Sequence, residues 1–188
     1  MQIKNRNRLI GFQSEKAAQV AAYFACKDVA PISKLKLIKL LYLSERQFLE
    51  KYGRPMLYDM FFSLKDGPIC SVSLNCINGS LDKEIWSNFI TKSQNNVRAI
   101  RHFDRNDYDE ISDIEIEALD SIWNSFGWMS ASQIRNYTHK HCPEYSPVTT
   151  GRLPIHYPDV FKALRIEDAQ ILSSEIDQYR KTTALFSE

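Results

Sequence analysis

"SKLKLIKLLYLSERQFLEKYGRP", residues 33 to 55, is the stretch from which the fold is read. Apolar side chains at Leu35, Leu37, Ile38, Leu40, Leu41, Tyr42 and Leu43 surround its first half instead of forming one stripe, as in a helix enclosed on all sides. Pro31 and Ser33 supply opening signals, so the helix is predicted to run from there to Tyr52. Gly53 suits a left-handed C-cap, and Pro55 enforces the stop. The stripe Ile38, Leu41, Tyr42, Phe48, Leu49 is interrupted by Glu45, with Arg46 beside it. A carboxylate on that face, if buried, needs a partner: an ion pair or a capped backbone contact.

Working outward, Ser14 is expected to cap a helix over residues 15–27, in which Ala17, Val20, Ala21 and Phe24 recur at helical spacing. Downstream, residues 60–65 read as a strand ended by the turn signal Asp66-Gly67-Pro68. Pro68 then suits the first turn of a helix carrying Ile69, Val72 and Cys76 and ending at Gly79. Two further strands flank Gln94-Asn95-Asn96 and are expected to join the strand near Phe61 in one small antiparallel sheet. Ser112 with Glu115, and Ser130 with Gln133, form capping boxes for two more helices. "EYSPVTTGRLP", residues 144 to 154, reads as a loop, followed by amphipathic segments around 160–164 and 169–179. The fold class predicted is α+β and predominantly helical: a single compact helical domain with a small antiparallel β-sheet.

A chain of 188 residues suits one core of ordinary depth. The division expected is an N-terminal tail over 1–13, a domain over 14–180 and a C-terminal tail over 181–188. No apolar run approaches the ~20 residues that span a bilayer, and "MQIKNRNRLIGF" lacks the apolar stretch of a secretory signal. A cytoplasmic location and no membrane partner are therefore expected. The net charge of +1 provides no global field to steer the molecule. Cys26, Cys70, Cys76 and Cys142 lack C-x-x-C pairing and are expected to be reduced, mostly buried thiols.

Four groups of residues carry side chains of chemical interest. His139, His141 and Cys142 are zinc-ligand types, but positions two apart diverge by roughly 200° on a helix, so no metal site is assigned. A cysteine-dependent hydrolase using Cys70 or Cys142 with His139 would lack a nucleophile elbow or a phosphate-cradling loop to support it. Lys4, Arg6, Arg8 and Lys34, Lys36, Lys39 could track phosphates, although solvated helix ends explain the three lysines equally well. Asp104, Asp107, Asp109, Glu110, Asp113, Glu115, Glu117 and Asp120 face only Arg105 within their interval, suggesting either helix-end compensation or an acidic docking face.

Taken in order, Lys39-Leu40-Leu41-Tyr42, Glu45-Arg46, Tyr52-Gly53-Arg54-Pro55, Gly67-Pro68 and the helix "SASQIRNYTH" (130–139) with Thr138-His139 make the chain resemble the Panacea, or SocA-like, antitoxin domain. The resemblance spans about residues 15 to 164. It departs from the family where a tryptophan often follows Thr138-His139, since this chain carries Tyr145 after Cys142-Pro143. What it implies is a mainly helical fold without catalysis or cofactor, binding and silencing a cognate toxin encoded beside it. One alternative it implies is an adaptor delivering the toxin to an ATP-dependent protease, for which an exposed tail such as "KTTALFSE" would matter. Some members add a DNA-binding module, for which the residues before Glu15 are too few, so nucleic acid is not the expected partner. Tyr42, Glu45, Arg46, Gly53, Pro55, Gly67, Pro68, Thr138 and His139 are then structural motif residues. Aromatics and arginine are enriched among interface hot spots, so partner binding is assigned to Tyr52, Arg54, Tyr58, Phe61, Phe62 and Lys65 of the corner, with Asp107 and Asp109 from the acidic interval.

Overall fold

The computed structural model describes residues 9–185. In chain order the elements are α1 (Ser14–Lys27), β1 (Ile32–Ser33), α2 (Lys34–Tyr52), β2 (Phe61–Leu64), β3 (Gly67–Cys70), α3 (Ser71–Ile77), α4 (Lys83–Trp86), β4 (Ile90–Ser93) and β5 (Asn96–Ala99). After a short 3-10 turn at Arg105–Asp107 come α5 (Asp113–Phe126), α6 (Ala131–His141), β6 (Leu153–Ile155), α7 (Tyr157–Ala163) and α8 (Ala169–Leu185). The α+β, predominantly helical class is what the chain adopts.

Helix α2 lies at the centre, packed by α1, α5, α6 and β3. Leu37, Leu40, Leu41, Tyr42 and Leu49 are wholly buried, which is why its apolar residues ring the helix. The Ser33 hydroxyl accepts the Lys36 N–H at 3.2 Å and starts the helix as expected. Helix α1 is buried through Ala17, Ala18, Val20, Ala21, Ala22 and Phe24, its small residues permitting close packing. Both predicted capping boxes form, at Ser112/Glu115 and Ser130/Gln133.

Three local expectations are corrected. Ser14 does not cap α1: the cap position is Gln13, and the Ser14 hydroxyl instead accepts the Trp86 indole N–H at 3.2 Å. Pro68 does not open a helix, because residues 67–70 form β3, paired antiparallel with β2 in the register Phe61↔Cys70 and Ser63↔Pro68. Proline is tolerated there because β3 is an edge strand of its sheet, and α3 starts only at Ser71. The strands also form two three-stranded antiparallel sheets rather than one, ordered β1-β5-β4 and β3-β2-β6. The two-residue β1 pairs with β5 through Ile32↔Val97, and β6 emerges from the end of the predicted loop to pair with β2 through Phe61↔Ile155. Neither partner strand carries the long period-2 pattern that would announce it.

Helices α7 and α8 pack together, and α8 continues through Leu185, so Lys181–Leu185 are helical while residues 186–188 lie outside the described residues. Lys4, Arg6 and Arg8 also lie outside them.

A corner held from inside as the candidate partner-binding surface

The chain between α2 and β2 is fixed by buried carboxylates. Gly53 takes the left-handed conformation (φ 68°, ψ 4°), and its N–H bonds Leu49 O at 2.9 Å. Glu45, fully buried, accepts the backbone N–H groups of Met56 at 3.0 Å and Leu57 at 2.6 Å. This is the capped backbone contact anticipated for Glu45, and it turns the chain back along its own helix. Burial pushes the Glu45 carboxyl up to about 8, against the pull of those two N–H groups.

Asp59, which the sequence reading did not single out, performs the same service for α3. Its carboxylate accepts the N–H groups of Met60, Val72 and Ser73 and the Ser73 hydroxyl, at 2.6 to 2.9 Å. The backbone carbonyl of Asp59 in turn receives the Tyr157 hydroxyl at 2.8 Å and the Arg180 guanidinium at 3.1 Å. Tyr42 and Arg46 converge on Glu144, at 2.5 and 2.8 Å from Oε1. With roughly a hundred residues between these partners, no spacing rule could have paired them. His139 packs against Tyr145 at 4.5 Å between ring centroids, and the Tyr145 hydroxyl donates to Leu64 O at 3.1 Å. Thr138 is buried, its hydroxyl donating to Arg135 O.

The assigned partner-binding residues separate into three groups. Arg54 is exposed above the Phe48 ring, 5.3 Å from its centroid, beside the half-buried Tyr52. Phe62 is half-buried under the Arg152 guanidinium and Lys65 is exposed on the β2–β3 turn. Tyr58 and Phe61 are core residues: Tyr58 is 8% exposed and stacked on Tyr179, and Phe61 is 3% exposed between Tyr42 and Tyr157. Neither side chain presents a surface for a partner.

Asp107 and Asp109 sit elsewhere, at the α1 side of the molecule. Asp107 pairs with Arg101 at 2.9 Å and Asp109 accepts the Gln19 amide at 2.5 Å. Much of the acidic interval is answered by partners from α1 and neighbouring loops: Glu115 by Lys16, Asp120 by Lys27, Asp113 by Arg105. Counting charges within the interval finds Arg105 alone; Arg101 stands just ahead of it, and Lys16 and Lys27 stayed hidden because they come from α1, far back in the chain.

Of the lysines read as phosphate-tracking, Lys36 bonds Asp28 and Gly127 O, and Lys34 bonds the Asn78 side chain. Lys39 is fully buried and donates to Pro68 O at 2.7 Å, so it can contact no nucleic acid from that position. The two candidate nucleophiles are equally enclosed. Cys70 and Cys142 are buried, and burial raises both thiols, Cys142 to about 12, while burial and Arg135 lower His139. These shifts oppose a thiolate–imidazolium pair. His141 stacks on Tyr137 while His139 turns to Tyr145, and among the described residues no cluster of three His, Cys, Asp or Glu could hold a metal ion.

A family model described as "Antitoxin SocA-like, Panacea domain" matches residues 37–144. The chain belongs to this antitoxin family. A relative, Antitoxin SocA of Caulobacter vibrioides (strain NA1000 / CB15N), is 32% identical over 143 residues, covering 74% of this chain and 73% of the relative. No solved structure matches. The Panacea match takes in α2 from Leu37 onward, the corner, both hairpins, the Lys39–Pro68 contact and the Tyr42–Arg46–Glu144 cluster, while α1, α7 and α8 fall outside it. Among the described residues, no helix is long and apolar enough to cross a membrane.

Proposed function

We propose that this chain is the antitoxin of a toxin–antitoxin pair and neutralises a cognate toxin by direct protein–protein binding in the cytoplasm. Membership of the SocA-like antitoxin family, matched from Leu37 of α2 through the corner and α6, carries this reading. The geometry supports it: the buried side chains of Glu45 and Asp59 hold the backbone on either side of the corner, which presents Arg54 and Tyr52 at one end and Phe62 and Lys65 at the other. A preorganised surface loses little conformational freedom on binding. Such preorganisation supports a reading in which this surface occludes the toxin.

The test is co-expression with the product of the adjacent gene. Restored growth together with a stable co-purifying complex is the expected result. Growth rescue with falling toxin levels, abolished when an ATP-dependent protease is deleted, would replace occlusion by proteolytic delivery. Absence of both rescue and complex would overturn the antitoxin reading.

A further inference from the structure

A groove of about 590 Å³ opens between the tips of the two hairpins. Its apolar floor is built by Leu35 and Ile38 of α2, Leu64 and Ile69 of the β2–β3 hairpin, and Leu74 of α3. Asn95, at the turn of the β4–β5 hairpin, closes one side; Ala131 at the start of α6 and residues 149–151 contribute the rest. Leu35, Leu64 and Leu74 are only half-buried, so the floor retains apolar area that an inserted side chain could cover.

The charge lining this groove is net positive, two lysines against one carboxylate. Lys65 is exposed, and Lys34 is bonded at 3.0 Å to the neutral side chain of Asn78. Asp66 is the carboxylate among the lining residues, and Arg135 neutralises it at 3.0 Å. Helix α2 also begins here: Lys34 N–H bonds Asn95 O and Lys36 N–H bonds the Ser33 hydroxyl, while Leu35 N–H has no acceptor within its own helix. The positive end of the 19-residue helix dipole therefore adds to the two lysines. An apolar floor under a cationic rim selects apolar side chains flanked by carboxylates and repels the basic equivalent.

We propose that the inter-hairpin groove is the anchor site for an acidic, apolar segment of the partner protein, which seats a Leu- or Phe-like side chain on Leu35, Leu64 and Leu74 with its carboxylates against Lys34 and Lys65. The identity of the partner as a toxin rests on the function proposed above; the chemistry of the segment does not.

Three fluorescein-labelled 12-residue peptides test it by anisotropy with the full chain: one alternating Leu and Phe with Glu and Asp, one with Lys and Arg replacing the acids, and an acidic one with Ser replacing the apolar residues. The first should bind at least tenfold more tightly than the others. Leu35→Glu and Lys65→Glu should each weaken it at least tenfold, whereas reversing an exposed charge on α6, Lys140→Glu, should leave it unchanged. Glutamate is favourable near a helix N-terminus, so Leu35→Glu is compatible with α2, and Lys65→Glu changes only an exposed turn. Equal binding of the three peptides, or wild-type binding by Lys65→Glu, overturns the proposal. Toxin co-expression separates the two readings. Rescue that survives both variants overturns the groove and spares the antitoxin function; peptide selectivity without any rescue overturns the antitoxin function and spares the groove.

Discussion

The Lys39 ammonium, wholly buried inside α2, donates to the carbonyl of Pro68 at 2.7 Å and so ties the central helix to the edge strand β3. A Cβ at Gly67 would stand 2.7 Å from Lys39 Nζ and 2.8 Å from the His139 ring, so the strand approaches this closely only as glycine. Burial pulls Lys39 down to about 7 from its ordinary 10.5, against the attraction of Cys142, Asp66 and Cys70. Between those values the unfolded chain binds the proton and the native one does not, so stability from this group rises with pH through about 7 to 10.5 and is lowest below 7. Lys39→Met should flatten that rise and add stability at pH 7, on the order of 1 to 4 kcal/mol. Urea melts at pH 7 and 9 check it. A wild-type slope retained in the variant would remove Lys39 as its source.

Glu45 works in the opposite direction. Its carboxyl is raised from 4.5 to about 8, so between those values the native state holds a proton that the unfolded state has released. Its contribution is fully present below about 4.5 and is lost as pH rises towards 8. Glu45→Gln keeps an oxygen for the Met56 and Leu57 N–H groups and cannot ionise, so stability should fall less between pH 5 and 8. Glu45→Ala should cost about 2 to 4 kcal/mol at either pH, because both N–H groups lose their acceptor inside the core. Equal pH dependence in wild type and Glu45→Gln would count against the assignment.

Gly53 gives a backbone test of the corner. At φ 68° a β-branched residue is strained, and an added Cβ would lie 3.0 Å from Leu172 of α8. Gly53→Val should lower stability by about 2 kcal/mol or more, and Gly53→Asn by less, since asparagine tolerates the left-handed region. Thermal melts of the two variants in the order Val below Asn below wild type are expected; Val equal to Asn would mean that the left-handed geometry is not the constraint.

What the sequence disclosed and what it hid divide along sequence distance. The boundaries of α2, the Gly53 cap, the need of Glu45 for a partner and both capping boxes rest on residues within about a dozen positions of one another. Their rules concern local hydrogen bonds, so they were legible. Asp59 illustrates the limit: it caps a helix beginning 12 residues later across the β2–β3 hairpin, and reading Pro68 as a helix opener moved that helix onto the hairpin. Glu144, the second sheet and the bases that answer the acidic interval depend on contacts that only the closed fold creates. The candidate surface suffered most from this, because a burst of aromatics at 52 to 62 does not say which rings face inward. Tyr58 and Phe61 do; Arg54 and Phe62 keep exposed area.

That division makes separate predictions for binding and for folding. Arg54→Ala removes an exposed guanidinium that rests on Phe48, itself 1% exposed, so the core stays closed and the melting temperature should hardly move. Partner affinity should fall by about tenfold if Arg54 is a binding hot spot. Phe61→Ala deletes a ring packed between Tyr42 and Tyr157 and should cost about 3 to 5 kcal/mol of stability. Any loss of binding should then follow the loss of folded protein. Reversal of Asp107 and Asp109 to lysine places like charge against Arg101 and breaks the Gln19 contact, so it should lower the melting temperature. Calorimetric titration with the partner, run beside thermal melts of all three variants, checks the set. Reduced affinity for the aspartate reversal at an unchanged melting temperature would move those acids into the interface, and undiminished affinity for Arg54→Ala would remove the Arg54 end of the corner from it.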